Sequence, residues 1–105
     1  MAPYTNAFVH LLPVENLVFF SYFCAMYYSY VVYNLEHHRF HYGVCADIAK
    51  TEEAHNEGLI EETKGISPWN MVFHEAHPSK QHAIRRVIFY RTVGGQRFLK
   101  RQLHY

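Results

Sequence analysis

Between Glu15 and Glu36 the chain carries no charged residue. That run, residues 16–35, is about 20 residues long, and as a helix it would extend about 30 Å, the depth of a bilayer's hydrocarbon core. Pro13 stands just ahead of it, where a helix tolerates proline. The cluster Glu36-His37-His38-Arg39-Phe40-His41-Tyr42 stands just behind it, in the place of an interfacial anchor. The competing reading is a helix or strand buried inside a folded domain. Outside the run only two short apolar clusters are evident, around Trp69–Phe73 and Ile84–Val93. They offer little surface to cover a segment that is apolar all round. The spacing therefore predicts a transmembrane helix over 16–35, preceded by an N-terminal tail over 1–15.

The faces of that expected helix differ. Ser21, Ala25 and Ser29 form a row of small residues at intervals of four, where a second backbone can pack closely. Phe19, Phe20, Phe23, Tyr27 and Tyr30 fall on the opposite side. A phenol left unpaired in hydrocarbon costs a few kcal/mol (order of magnitude), so Tyr22, Tyr27 and Tyr28 are expected to hydrogen-bond to neighbouring helices. Residues 1–15 contain no Lys or Arg. That argues against a cleavable secretory or mitochondrial leader and places the C-terminal part on the cytoplasmic or matrix side.

Beyond the run, charge separates along the chain. Residues 36–64 hold seven acids against three bases, whereas residues 80–105 hold seven bases and no acid. Such blocks make separate surfaces. Residues 36–64 read as an interfacial segment followed by an acidic helix over 44–64, capped by Asp47 or Thr51 and weakened at Gly58. Residues 65–105 read as a partner-docking segment with a basic tail. Trp69 suits either an anchor in a partner's pocket or packing on its own chain. The last third admits a helix beginning near Pro78-Ser79 and closed at Gly94, or a hairpin across Gly94-Gly95. The spacing of Ala83, Ile84, Val87 and Ile88 favours the helix.

Few residues point to chemistry. Nine histidines invite a metal reading, and His37, His38 and His41 form HHxxH, while His74, Glu75, His77 and His82 form a second group. The second group lacks the HExxH spacing of zinc proteases. Histidine-box oxygenases hold several such groups on several membrane helices, where this chain offers one span. No metal, no cofactor and no catalytic residue is therefore assigned. The sequence has no GxSxG, Walker or dinucleotide-binding pattern, and the chain reads as a non-enzyme. Cys24 and Cys45 make neither a CxxC pair nor a disulfide framework. Arg85, Arg86, Arg91, Arg97, Lys100 and Arg101, with Phe89, Tyr90 and Phe98 among them, suit anionic lipid such as cardiolipin or an acidic partner. RNA is the alternative, disfavoured here because a membrane span brings lipid first.

The elements Ser21-Tyr22, Tyr28-Ser29-Tyr30 and His37-His38-Arg39 resemble the texture of small single-pass accessory subunits of mitochondrial inner-membrane energy-transducing complexes. Residues 17–42 are similar in texture to the membrane segment of the f subunit of F-type ATP synthase; the long acidic and basic extension departs from it. The resemblance implies a mainly α chain without an independent globular core, located in the mitochondrial inner membrane. It also implies a structural role beside the other subunits of a respiratory complex or ATP synthase, with electron and proton transfer left to those subunits. The alternatives are a membrane-tethered RNA-binding or mitoribosome-associated protein, or a histidine-ligated metal protein.

Overall fold

The computed structural model describes residues 26–104. Its elements run β1 (Tyr27–Asn34), β2 (Arg39–Cys45), α1 (Ile48–Asn56), β3 (Asn70–His77), α2 (Lys80–Tyr90) and α3 (Val93–Leu103). The strands form one antiparallel sheet in the order β2-β1-β3, so β1 lies in the centre. The register pairs Tyr30 with Gly43 on one side and with His74 on the other.

This overturns the expected transmembrane helix. Its second half, Tyr27–Asn34, is the central strand. Among the described residues no helix is long and apolar enough to cross a membrane. The single-pass, mainly α architecture falls with that span, and so does the inner-membrane location drawn from it. The fold is α/β, a three-stranded sheet with three helices. The physical reason lies in how β1 is covered. Ser29 and Val31 face one side of the sheet, Tyr30, Val32 and Asn34 the other, and all five are buried. A strand covered on both faces has no polar face to show, so it reads as a continuous uncharged run. Ser21, Tyr22 and Ala25 lie outside the described residues.

Two cores follow from the alternation. On one face Val31 and Phe73 pack with Val87 and Tyr90 of α2 and Leu99 of α3, with Phe40, Tyr42 and Val44 of β2 at the margin. On the other face Tyr30, Val32 and Trp69 pack with Ile48 of α1, Ile66 and Met71. The molecule is thus three layers: α2–α3, sheet, and α1 with the following loop. β2 supplies part of the cover through Phe40, Tyr42 and Val44, which lie outside the two apolar clusters read from the sequence. At the far side of β1 the register slips between Val31 and Val32, so that Val72 of β3 is left out of the ladder.

Local signals set the helix ends. The Asp47 side chain accepts from the Lys50 amide at 3.0 Å and opens α1. That cap was legible, but the helix stops at Asn56 rather than running to residue 64, and Gly58 turns the chain at φ 74°. Ser79 caps α2 and Thr92 caps α3, the latter accepting from the Gly95 amide at 3.0 Å. The C-terminal third is therefore helical, but as two helices. Gly94 and Gly95 sit inside the first turn of α3 rather than closing α2. Gly95 is required there because a Cβ would lie 1.8 Å from the Phe89 carbonyl oxygen. The apolar cluster Trp69–Phe73 is the entry to β3, which begins at Asn70.

Candidate functional site

Ser29 and Glu75 project from β1 and β3 toward α2, and there they join a chain of polar side chains. Glu75 accepts two bonds from Arg86, from Nε at 2.8 Å and from an η nitrogen at 3.2 Å. It also accepts from the Tyr90 hydroxyl at 2.5 Å. The Ser29 hydroxyl lies 2.8 Å from the Tyr90 oxygen and 2.8 Å from His77 Nε2. Proton positions follow from the donor inventory. Tyr90 gives its one proton to the Glu75 carboxylate, so Ser29 donates to Tyr90, and His77 Nε2–H donates to Ser29. The Arg86 plane is flanked by the rings of Phe89 and Phe98, 4.6 and 4.7 Å from its central carbon. Burial, then the bond to Glu75, pushes the Tyr90 phenol above its ordinary range. The bonds to Glu75 hold the Arg86 guanidinium still more firmly charged.

A serine beside a histidine raises the question of a nucleophile. The polarity here runs the wrong way: the nitrogen that faces Ser29 carries the proton, and the hydroxyl proton points toward Tyr90. Ser29 is also wholly buried, with 0% exposure. The chain is a structural tie between sheet and helix.

On the opposite face His55 of α1 is likewise 0% exposed. Its Nε2 shares a bond with the Tyr30 hydroxyl at 2.8 Å and its Nδ1 with Thr63 Oγ1 at 2.6 Å. Thr63 donates onward to the Ile60 carbonyl. The consistent arrangement has Nδ1–H donating to Thr63 and Tyr30 donating to Nε2. His41 lies edge-on, 5.2 Å away between ring centres. Burial, then the nearby His41, lowers the His55 imidazole from 6.5 to about 4. Burial also lowers His41. Tyr30 owes its room to Gly43, because a Cβ at that position would stand 2.5 Å from its hydroxyl oxygen.

The histidine groups do not converge. His37 and His38 lie in the β1–β2 turn, where the His37 amide donates to Asn34 Oδ1 at 2.7 Å, while His41 is on β2 facing His55. His77 lies on the α2 side of the sheet, tied to Ser29, and His74 alternates to the α1 side, edge-on to Tyr28. Among the described residues no three His, Cys, Asp or Glu side chains are grouped to hold a metal ion.

The residues expected to bind partners fall as follows. Trp69 is 1% exposed and packs on its own chain, its indole donating to the Ile66 carbonyl at 2.8 Å. Tyr27 and Tyr28 are half-buried at the start of β1. Ser29, expected in a helix-packing row, is in the polar chain described above. Arg85, Arg91, Arg97, Lys100 and Arg101 are all exposed on α2, α3 and the turn between them, whereas Arg86 is turned inward to Glu75. A hollow of about 340 Å³ lies between Tyr33, Phe40, Val72 and Leu103, at the end of the same layer. The polar chain and the hollow were not anticipated. The i, i+4 pair Arg86 and Tyr90 was the available signal for the first.

No family model, no curated protein and no solved structure matches this chain. The geometry defines its class as a three-layer α/β domain with one cationic helical layer.

Proposed function

We propose that this chain is a non-catalytic binding module that attaches to the phosphate backbone of a nucleic acid through the α2–α3 layer. The observation that carries this reading is the gathering of the basic block into one layer. From Lys80 to the C-terminus there are seven bases and no acid, and of these Arg86 is neutralised by Glu75. The preference for lipid rested on a membrane span, and without the span that preference loses its ground. Exposed guanidinium and ammonium groups on adjacent helices suit a polyanion, whose binding releases condensed counterions. Lys100 and Arg101 also stand in the last turn of α3, where the macrodipole favours cations.

The test is fluorescence anisotropy of a labelled RNA and a labelled DNA duplex against salt. With five exposed cations from Arg85 to Arg101, log–log slopes for the duplex of about −4 to −5 are expected. Neutralising Arg85, Arg91, Arg97, Lys100 and Arg101 to Gln should abolish binding. Equal binding by that variant, or none by the unaltered chain at low salt, would overturn the reading.

A second reading keeps the accessory-subunit expectation without the membrane: docking on an acidic protein surface. It is favoured by Ile84, Ile88 and Val93, which lie exposed among the same cations.

A further inference from the structure

The acidic and basic blocks of the sequence end on opposite faces of the sheet. The α2–α3 core and the α1 core share β1 but use its alternate side chains. The α1 layer presents Glu53, Glu57 and Glu62 to solvent, with Glu61 beside Lys64 and with Lys50 exposed on α1, so acids outnumber bases there. Leu59, 72% exposed, stands among them. The α2–α3 layer presents Arg85, Arg91, Arg97, Lys100 and Arg101, with no acid between. Its exposed apolar residues are Ile84 and Ile88, one turn apart on α2, and Val93 at the start of α3. Each outer face thus combines an excess of one sign of charge with uncovered aliphatic side chains, the α1 face keeping two bases among its acids. A surface with an excess of one charge repels a copy of itself, which disfavours a symmetric contact of either face with its twin. The two faces are complementary to each other.

We infer that the chain associates head to tail with a second copy, the α1 face of one molecule seated on the α2–α3 face of the next. The contact is heterologous: each molecule uses one face and keeps the other free. It therefore propagates into open chains or a ring, and it does not stop at a dimer. Opposite potentials steer the encounter, and Leu59 meets the Ile84–Ile88 strip once the charges have aligned the faces. This inference stands apart from the nucleic-acid reading, although both use the basic layer; a polyanion would compete for it and shorten the chains.

The test is sedimentation of the full chain from about 1 µM to about 1 mM, the range of weak association. Ionic strength is varied from about 0.01 M, where fields reach about 30 Å, to about 0.15 M, where they reach about 8 Å. At low salt the average mass should rise continuously with concentration, and salt should lower it. Two variants of exposed residues separate the faces. Ile88→Glu with Arg91→Glu spoils the basic face, and Glu57→Lys with Leu59→Lys spoils the acidic one. Each alone should stay at the mass of one chain. Mixed together they should form a one-to-one pair and stop there, through the surviving face of each. A single-chain mass at every concentration of the unaltered protein would overturn the inference, and that series decides even if a variant fails to fold. So would a discrete dimer that persists in either variant.

Discussion

Against the α2–α3 layer the sheet buries an ion pair, Glu75 with Arg86; against the α1 layer it buries a neutral imidazole, His55. Both solutions satisfy the same rule, that a polar group taken from water must find partners. They differ in what they depend on. Arg86 is held by charge and by two flanking rings, and it keeps one edge at the surface, its side chain 31% exposed. His55 is held by two hydroxyls alone, one of them from a loop that has little regular structure of its own. The helical layer is thus fastened by electrostatics between regular elements. The α1 layer is fastened by hydrogen bonds and by one large ring, that of Trp69.

The comparison can be broken most severely at Trp69. Trp69→Ala removes the centre of the α1-side core and should cost about 3–5 kcal/mol in denaturant unfolding. A loss under about 1 kcal/mol would mean that the loop does not close that face. On the other side, Glu75→Gln strips Arg86 and Tyr90 of their ionised acceptor. It should cost about 2–3 kcal/mol, the scale of hydrogen bonds to charged groups; an unchanged midpoint would show the polar tie to be idle.

Acid should weaken the α1 face through His55. His55 has a folded value of about 4, below the ordinary imidazole value of about 6.5. As pH falls through that window the unfolded chain binds the proton first, so stability declines from about pH 6.5 toward pH 4 and levels off below. One proton contributes a slope approaching about 1.4 kcal/mol per pH unit. Comparing His55→Gln with the unaltered chain over that range isolates it; identical slopes would refute the assignment. Least of all should change at Lys64–Glu61, a 3.4 Å pair with side chains 57% and 81% exposed. Lys64→Ala is expected to shift stability by less than about 0.5 kcal/mol.

How much of this was legible depends on whether the signal was local. Asp47 and Ser79 mark helix starts through their own side chains, and both starts were readable. The charge blocks were readable too, since they need only counting. What the sequence concealed was β1. The stretch Ser29-Tyr30-Val31-Val32 shows alternation only when one face is wet, and here both faces are covered by elements 10 to 70 residues away along the chain. Length then spoke for a bilayer span, because residues 16–25 continue the uncharged run outside the described residues. Beyond the i, i+4 pair Arg86 and Tyr90, the polar site was illegible for the same reason. Ser29 meets Tyr90 across 61 positions, and Tyr30 meets His55 across 25. No spacing rule reaches that far.

The joint between α1 and β3 has a consequence of its own. Asn56 holds the Trp69 backbone at both ends, accepting from its amide at 2.6 Å and donating to its carbonyl at 2.9 Å. Glu52 accepts from the Met71 amide at 2.7 Å. These two amides are protected by side chains of a nine-residue helix rather than by a neighbouring strand. Their hydrogen–deuterium exchange should therefore follow the opening of α1. The amides inside the β1–β3 ladder should wait for the whole domain to unfold. At the entry to β3, then, Trp69 and Met71 keep time with a helix, and the later residues of the strand with the sheet.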